Sequence, residues 1–347
     1  MPVDEPSWWY GEGPQWPARA LEPVARVYAH IAARRMAAVE PYRSRLPVIC
    51  IGNFTAGGTG KTPLALRIAR TLQQLGRRPV FLTRGYGGRL RGPHRIGPGD
   101  PAALVGDEPL LLARVAPTVI ARDRAAGARA IEAADGEEVA DIIIMDDGLQ
   151  NPHLVKDLTI AVVDGQRGLG NGAVIPAGPL RAPLAIQIGR TDAIVITRPN
   201  PDAPAEPTVM TALKQSFHGP VLAAETRAVA PYDWLRDQPL VAFCGIGAPR
   251  RFLDLLTRLG GHIAAEAVFP DHHAYRETDA RRLLALAQSH AGVLVTTEKD
   301  WVRLTGLGEA RGDLQTAART LAIETVLAAR DEERLLTLLR GVLAAPS

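Results

Sequence analysis

An α/β fold built on a mostly parallel sheet with helices on both faces, joined by a smaller C-terminal α/β lobe and an amphipathic N-terminal helix, is what this sequence predicts. Three observations predict it. Short continuous apolar runs alternate with helical segments, the pattern of strands buried on both faces. A Gly-rich loop follows the first of these runs directly and opens a helix. The rhythm breaks at a Pro-rich stretch, 199–207, after which a second set of alternations begins.

The elements follow in order. Residues 1–45 differ from the rest: Trp8, Trp9 and Trp16 are three of the five tryptophans and lie beside Tyr10. After Pro23, the residues Val24, Val27, Tyr28 and Ile31 fall at i, i+3, i+4, i+7 spacing and predict a helix flanked by Arg26, Arg34 and Arg35. Two readings are open for it. One is a helix lying in a membrane interface, rings at the headgroups and cations towards anionic lipid. The other is a helix docking its stripe on the protein's own core.

From residue 46 to about 230 the chain reads as the main domain. Its expected strands are Val48 to Ile51, Val80 to Thr83, Val119 to Ala121, Ile142 to Met145, Leu158 to Val163 and Ile194 to Thr197. A helix runs from the Gly-rich loop to about Leu75. Residues 231–347 read as the smaller lobe, with strands at 240–244 and 293–297, and helices at 251–259, 280–289 and 331–343.

Composition narrows the classes. The 347 residues are 46% hydrophobic and 22% charged, and mean hydropathy is zero. That excludes disordered and disulfide-scaffold proteins. A net charge of +3 is too small to argue for nucleic acid, and no obligate protein partner is evident. Lysine occurs only at 61, 156, 214 and 299, so arginine does nearly all the cationic work. The two cysteines, Cys50 and Cys244, sit in apolar strand-like runs and fit a reduced interior. Arg26, Arg34 and Arg35 interrupt the best candidate for a spanning helix, which needs about 20 apolar residues. Asp4 and Glu5 argue against a signal peptide, so a cytoplasmic location is expected.

The strongest chemical signal is Thr55-Ala56-Gly57-Gly58-Thr59-Gly60-Lys61-Thr62. A phosphate-binding loop needs inward backbone N–H groups, a lysine for the β- and γ-phosphates and a hydroxyl for Mg²⁺. Small residues permit the first, and Lys61 and Thr62 supply the rest. Thr55 replaces the glycine that the strict pattern puts first. With this loop the fold class becomes P-loop NTPase-like. Asp146 and Asp147 end the apolar run 142–145, where α/β sheets place ligands, and are the metal-side acids expected opposite Thr62. Asp107 and Glu108 open a Leu-rich helix, where they serve either as an ordinary N-terminal acid pair or as catalytic carboxylates. His272 and His273 lie in a second such cluster after Phe269 and Pro270.

Several ordered segments together resemble the tetraacyldisaccharide 4'-kinases of lipid A synthesis. They are Gly52-Asn53-Phe54-Thr55 through Pro63, Thr83-Arg84-Gly85-Tyr86-Gly87, Val105 to Pro109, Ala121 to Arg124 and Asp146 to Gln150. Asn171, Pro176 to Arg181, Phe243 to Ile246, Asp271-His272 and Thr297 to Asp300 complete the series. The resemblance implies transfer of the ATP γ-phosphate to the 4'-hydroxyl of a tetraacyl-disaccharide 1-phosphate, giving a bisphosphorylated lipid A precursor. It implies Mg²⁺ with ATP, Asp107 as the base and His272 as its partner from the second lobe, and Lys61 at the transferred phosphate. Glu108, Arg122, Gln150, Asn171 and Arg181 are implied as ligands of sugar or phosphates. The implied location is the cytoplasmic face of a Gram-negative-type inner membrane, reached through the N-terminal helix. Asn151 and Ala182 depart from the histidine and glutamate the family usually carries there. The rival is a nucleotide-switch ATPase of the partitioning or iron-protein type, which usually has a lysine where this chain has Ala56.

Overall fold

A computed structural model describes residues 5–11, 15–37, 39–136, 139–198, 209, 213, 215–304 and 308–344. The Pro-rich stretch 199–207 lies outside them. The strands, in chain order, are β1 (Val48–Asn53), β2 (Pro79–Thr83), β3 (His94–Arg95), β4 (Thr118–Ile120), β5 (Ile142–Asp146), β6 (Leu158–Asp164) and β7 (Ala193–Arg198). They continue with β8 (Val221–Ala228), β9 (Leu240–Cys244), β10 (Ile263–Val268), β11 (Val293–Thr297), β12 (Arg319–Leu321) and β13 (Ile323–Leu327).

Nine of these form one sheet in the order β13-β8-β7-β6-β1-β5-β2-β4-β3. From β8 to β4 every pairing is parallel, and only the edge strands β13 and β3 run antiparallel. β1 sits between β5 and β6 and is buried at all six positions, which is why its sequence reads as an unbroken apolar run. The pleat sorts its side chains to opposite faces. Ile49 and Ile51 join one core with Leu64, Ile68 and Leu72 of the helix Lys61–Gln74 and Leu335 and Leu339 of the helix Ala329–Ala344. Val48 and Cys50 join the other with Leu82, Met145 and Ile131 of the helix Arg124–Glu132.

The second sheet is small and wholly parallel, β10-β9-β11-β12. The helix Pro249–Arg258 packs on one face through Phe252, Leu253 and Leu256, and the helix Glu277–Ser289 packs on the other through Ala280 and Leu283. The smaller lobe expected over 231–347 ends early. Only Ala322 separates β12 in the small sheet from β13 in the large one, and Ile323 to Leu327 pair with Ala228 to Ala224 of β8. Residues 323–344 therefore belong to the large sheet and its helical cover. Their apolar positions, Leu327, Leu335, Leu339 and Val342, face that sheet's core.

The N-terminal helix is longer than its periodicity indicated. It runs Trp16–Ala37 with Pro23 inside. Proline costs the helix one N–H donor, but the carbonyl it orphans belongs to Arg19, which is exposed to solvent. The stripe does not dock on the protein's own core: Val24, Val27, Tyr28 and Ile31 are 55%, 62%, 42% and 46% exposed, and Trp16 is 70% exposed. Trp9 behaves differently from Trp16. It lies in the turn Ser7–Tyr10 and is buried, its Nε1 donating to the Pro176 carbonyl at 3.0 Å while its own carbonyl accepts from Asn171 N at 2.7 Å. Glu5 fastens the same segment, pairing with Arg167 at 2.6 Å and accepting from Tyr10 Oη at 2.9 Å. No described helix is long and apolar enough to cross a membrane.

Candidate active site

The loop between β1 and the helix Lys61–Gln74 carries two left-handed glycines, Gly57 at φ +93° and Gly60 at φ +86°. Gly60 is the N-cap residue, a backbone shape that a side chain would strain, and a Cβ there would also press on Thr197 at 3.2 Å. Thr62 is buried in the first helical turn, and the Thr59 hydroxyl is buried with no hydrogen-bond partner.

β5 delivers the acidic pair to the same end of the sheet, because β5 is β1's neighbour and both run the same way. The two carboxylates meet different surroundings. Asp147, held at φ +50°, accepts from Arg181 Nη1 at 2.7 Å and lies 3.8 Å from Lys61 Nζ. Burial pushes its pKa up, but Lys61 and Arg181 outweigh that and hold it well below the usual carboxylate range. Asp146 has no such neighbour at hydrogen-bond distance among the described residues. Burial first, then the negative charges of Glu108 and Asp147, push its pKa up to about 7, and its Oδ1 is buried without a partner. An orphaned buried carboxylate oxygen on Asp146, the register partner of Ile51 on the strand that leads into the phosphate loop, fits a cation. No group of three His, Cys, Asp or Glu side chains able to hold a metal lies among the described residues. The donor set therefore suits Mg²⁺ that keeps phosphate oxygens and water in its shell.

The third part comes from the helix Asp107–Ala113. Gly106, at φ +94°, precedes it, and a Cβ there would stand 2.3 Å from the Tyr86 carbonyl, so the Gly85-Tyr86 turn and this helix start fit only around glycine. Asp107 is buried and its Oδ2 lies 3.1 Å from His272 Nδ1. His272 is on the second lobe, in the left-handed region at φ +57°, with its backbone N–H donating to Gly245 O at 3.1 Å. Burial raises the Asp107 pKa, but the His272 hydrogen bond and the charges of Arg303 and Lys299 more than reverse this and hold it well below the usual range. The same hydrogen bond raises the His272 pKa. An ionised carboxylate only accepts, so Nδ1 carries the proton between them.

The structure thus brings Lys61, Thr62, Asp146, Asp147, Arg181, Asp107, Glu108 and His272 to the mouth of the large sheet. Electrostatic coupling of Glu108 to both Lys61 and Asp146 marks the closeness of its three parts. Several residues expected as ligands of sugar or phosphates bond within the protein. Gln150 donates to Asn53 O and to Gln187 Oε1, both at 2.7 Å. Asn171 closes its own loop, donating to Ala177 O at 2.9 Å and accepting from Ala173 N at 3.0 Å. Arg181 ties the phosphate loop to the acidic pair, its Nε donating to Thr55 O at 2.9 Å. Arg122 is exposed. Asn151 Oδ1 accepts from His153 N at 3.0 Å, and Ala182 is fully buried, its carbonyl accepting from Gln187 at 2.7 Å.

Three residues at the site were not singled out by sequence. Lys299 donates to Glu108 at 2.6 Å, Arg303 grips Asp107 Oδ2, and buried Arg124 acts on Asp146 and Asp147 through its charge. Lys299 had a signal, as one of four lysines and part of a motif. Arg303 had only its helical spacing of four from Lys299.

A family model described as tetraacyldisaccharide-1-P 4'-kinase matches residues 17–343. The tetraacyldisaccharide 4'-kinase of Methylobacterium nodulans is 51% identical over 305 residues, covering 86% of this chain and 87% of its own. That of Rhodopseudomonas palustris is 46% identical over 346 residues, covering 95% and 98%. Among solved structures, LpxK from Aquifex aeolicus in complex with ATP superposes with a TM-score of 0.73 at 25% identity, covering 94% of this chain and 99% of that one. On these matches, the chain belongs to the tetraacyldisaccharide-1-P 4'-kinase family.

Proposed function

We propose that the protein transfers the γ-phosphate of ATP to the 4'-hydroxyl of a tetraacyl-disaccharide 1-phosphate, at a membrane surface, with Asp107 meeting the acceptor hydroxyl. The observation that carries the residue roles is the pairing of Asp107 with His272 across 165 residues, beside a phosphate loop. A nucleotide switch has no use for such a pair, whereas a kinase must hold a second substrate.

Lys61 and the loop amides bind the phosphates, and Arg181 keeps the loop in register with Asp147. Thr62 and Asp146 would hold Mg²⁺, which would supply neutralisation of the phosphates' charge. In the reaction the acceptor oxygen bonds to the γ-phosphorus as the bond to the β–γ bridging oxygen breaks, and ADP departs with that oxygen. The hydroxyl proton passes to Asp107. A carboxylate with a depressed pKa is a weak base, but the transition state is loose and the hydroxyl turns acidic only as its bond to phosphorus forms. Asp107 is thus suited to aligning the hydroxyl and receiving its proton late. His272 fixes that carboxylate and, through its raised pKa, keeps a proton at Nδ1.

The acceptor's acyl chains cost about 0.8 kcal/mol per CH₂ to draw into water, so the enzyme goes to the lipid. The exposed Trp16, Val24, Val27, Tyr28 and Ile31 supply an apolar face for an interface, with Arg26, Arg34 and Arg35 for anionic headgroups. ATP is found inside the cell, which makes that surface the cytoplasmic face of the inner membrane.

The test is transfer of labelled γ-phosphate from ATP to tetraacyl-disaccharide 1-phosphate in detergent micelles. Wild type should label the lipid, Lys61→Ala and Asp107→Ala should not, and EDTA should stop the reaction until Mg²⁺ is restored. ATP hydrolysis that leaves the lipid unlabelled overturns the reading.

A further inference from the structure

The helix Glu298–Arg303 has only six residues, yet it brings two buried charged side chains and half-buried Lys299 to the junction of the lobes. Arg303 uses all three of its nitrogens. Nη1 donates to Gly245 O at 2.6 Å and to Asp300 Oδ1 at 2.7 Å, while Nε and Nη2 both donate to Asp107 Oδ2, the former at 3.0 Å. Asp300 is itself immobilised. Its Oδ1 also accepts from Gly245 N and Tyr275 Oη, each at 2.9 Å, and its Oδ2 accepts from Thr297 Oγ1 at 2.6 Å. The guanidinium is therefore locked within the second lobe before it meets Asp107, 196 residues earlier in the chain.

Stability alone is a poor reason for this arrangement. Buried ion networks repay their desolvation only with excellent geometry, and apolar packing of equal volume often does as well. What the network does achieve is to make the two oxygens of Asp107 unequal. Oδ2 takes three donors, Arg303 Nε, Arg303 Nη2 and His272 Nδ1. Oδ1 takes one, the backbone N–H of Glu108 at 3.0 Å. A carboxylate offers about four lone-pair sites in all, about two on each oxygen. Oδ2 is saturated, and Oδ1 keeps room for one more donor.

We propose that Arg303 is the positioning residue of this reaction, pinning Oδ2 of Asp107 so that Oδ1 alone is presented to the acceptor hydroxyl. This rests on the reading of Asp107 as the group that meets that hydroxyl. Lys299, four residues before Arg303 on the same helix, holds Glu108 in the same way at 2.6 Å, so one face of one short helix fixes both carboxylates. The smaller lobe is then part of the catalytic apparatus through Arg303 as well as through His272.

The test compares Arg303→Met, Arg303→Lys and Asp107→Asn with wild type in the micelle assay, with KM for both substrates, kcat and Tm measured for each. Arg303→Met should lower kcat about 100-fold, the cost of a reacting group displaced by about 1 Å, while KM for ATP stays put. Arg303→Lys keeps the charge but loses the two-pronged grip, and should recover part of kcat. Should Arg303→Met fail to fold, Arg303→Lys decides: reduced kcat at unchanged KM for ATP supports positioning, and full kcat overturns it. A folded Arg303→Met with wild-type kcat and a lowered Tm makes Arg303 a lobe fastener only. If that occurs while Asp107→Asn is inactive, the positioning role alone is lost. If Asp107→Asn is active, both readings are lost.

Discussion

Two regions of this molecule break the ordinary rule of burial in opposite directions. On the helix Trp16–Ala37 a row of apolar side chains stands in water, and at the lobe junction Asp107, Asp300 and Arg303 are buried. The first region leaves hydrophobic area uncovered at a cost of about 25 cal/mol per Å². The second removes charges from water and must satisfy each one. Among the described residues the apolar row is left largely exposed, whereas Asp107, Asp300 and Arg303 find their partners there. An uncompensated departure points outward, to a surface that completes it. A compensated one points inward, to geometry that must not move.

That contrast can be broken at either end. The largest effect belongs to the inward region. Asp107→Asn keeps the size of the side chain but removes its charge, and should lower kcat by about 10²- to 10⁴-fold in the micelle assay. The outward region comes next. Val27→Asp with Ile31→Asp should weaken binding to vesicles of phosphatidylethanolamine and phosphatidylglycerol by about 100-fold or more, given about 1.5–3 kcal/mol for each aliphatic side chain buried. Flotation measures this. The Tm should change little, because both side chains are exposed; a large drop in Tm would mean that the helix has an internal partner after all.

Trp9 sharpens the comparison, since it is an aromatic neighbour of the exposed stripe that faces inward. Trp9→Ala should cost about 3 kcal/mol in urea unfolding, the low end for a buried aromatic. Trp16→Ala should cost little stability and affect only vesicle binding. An unchanged stability for Trp9→Ala would show that the Ser7–Tyr10 segment does not stay docked in solution.

The smallest effect is one of pH. The folded-state pKa of His272 lies above its unfolded value of about 6.5, so its contribution to stability is complete below that pH and fades as pH rises through the folded value. Asp107 has the opposite sign: its pKa is depressed, so its contribution is present above about pH 4 and is lost as pH falls. In His272→Asn the loss of stability on the alkaline side should flatten. A slope identical to wild type would detach it from the Asp107–His272 pair.

The parts that sequence made legible are local ones. β1, β2, β5, β6 and β7 are read easily, since strands buried on both faces are uniformly apolar. β8, β10 and β13 are not, because each lies at or beside a sheet edge and carries polar residues such as Glu225, Glu266 and Glu324 within the run. At the site, the phosphate loop and the acidic pair are contiguous in sequence and were visible. Asp107 and His272 were each ambiguous and came into view through the resemblance to a family. Arg303 stayed hidden because its meaning is a contact 196 residues away, which no local pattern carries. Gln150 and Asn171 show the converse, since both bond within the protein. A polar residue in a motif looks the same whether it serves a substrate or the backbone beside it.

The way the chain leaves and regains the large sheet has a consequence of its own. Ala228 at the end of β8 is the register partner of Ile323 at the start of β13, and Val229 N donates to Ala322 O at 2.9 Å. Exit and entry are thus two sides of one antiparallel ribbon, and the intervening ninety-odd residues hang from it as an insertion. A tight hairpin could replace them without disturbing a single ladder bond of the nine strands. Such an excised protein would keep its nucleotide loop and lose His272, Lys299 and Arg303 together. The same ribbon tethers the inserted lobe along one line, so any opening has to be a swing about that line. Since Asp107 is gripped from across the gap, the first degrees of such a swing would unlatch it.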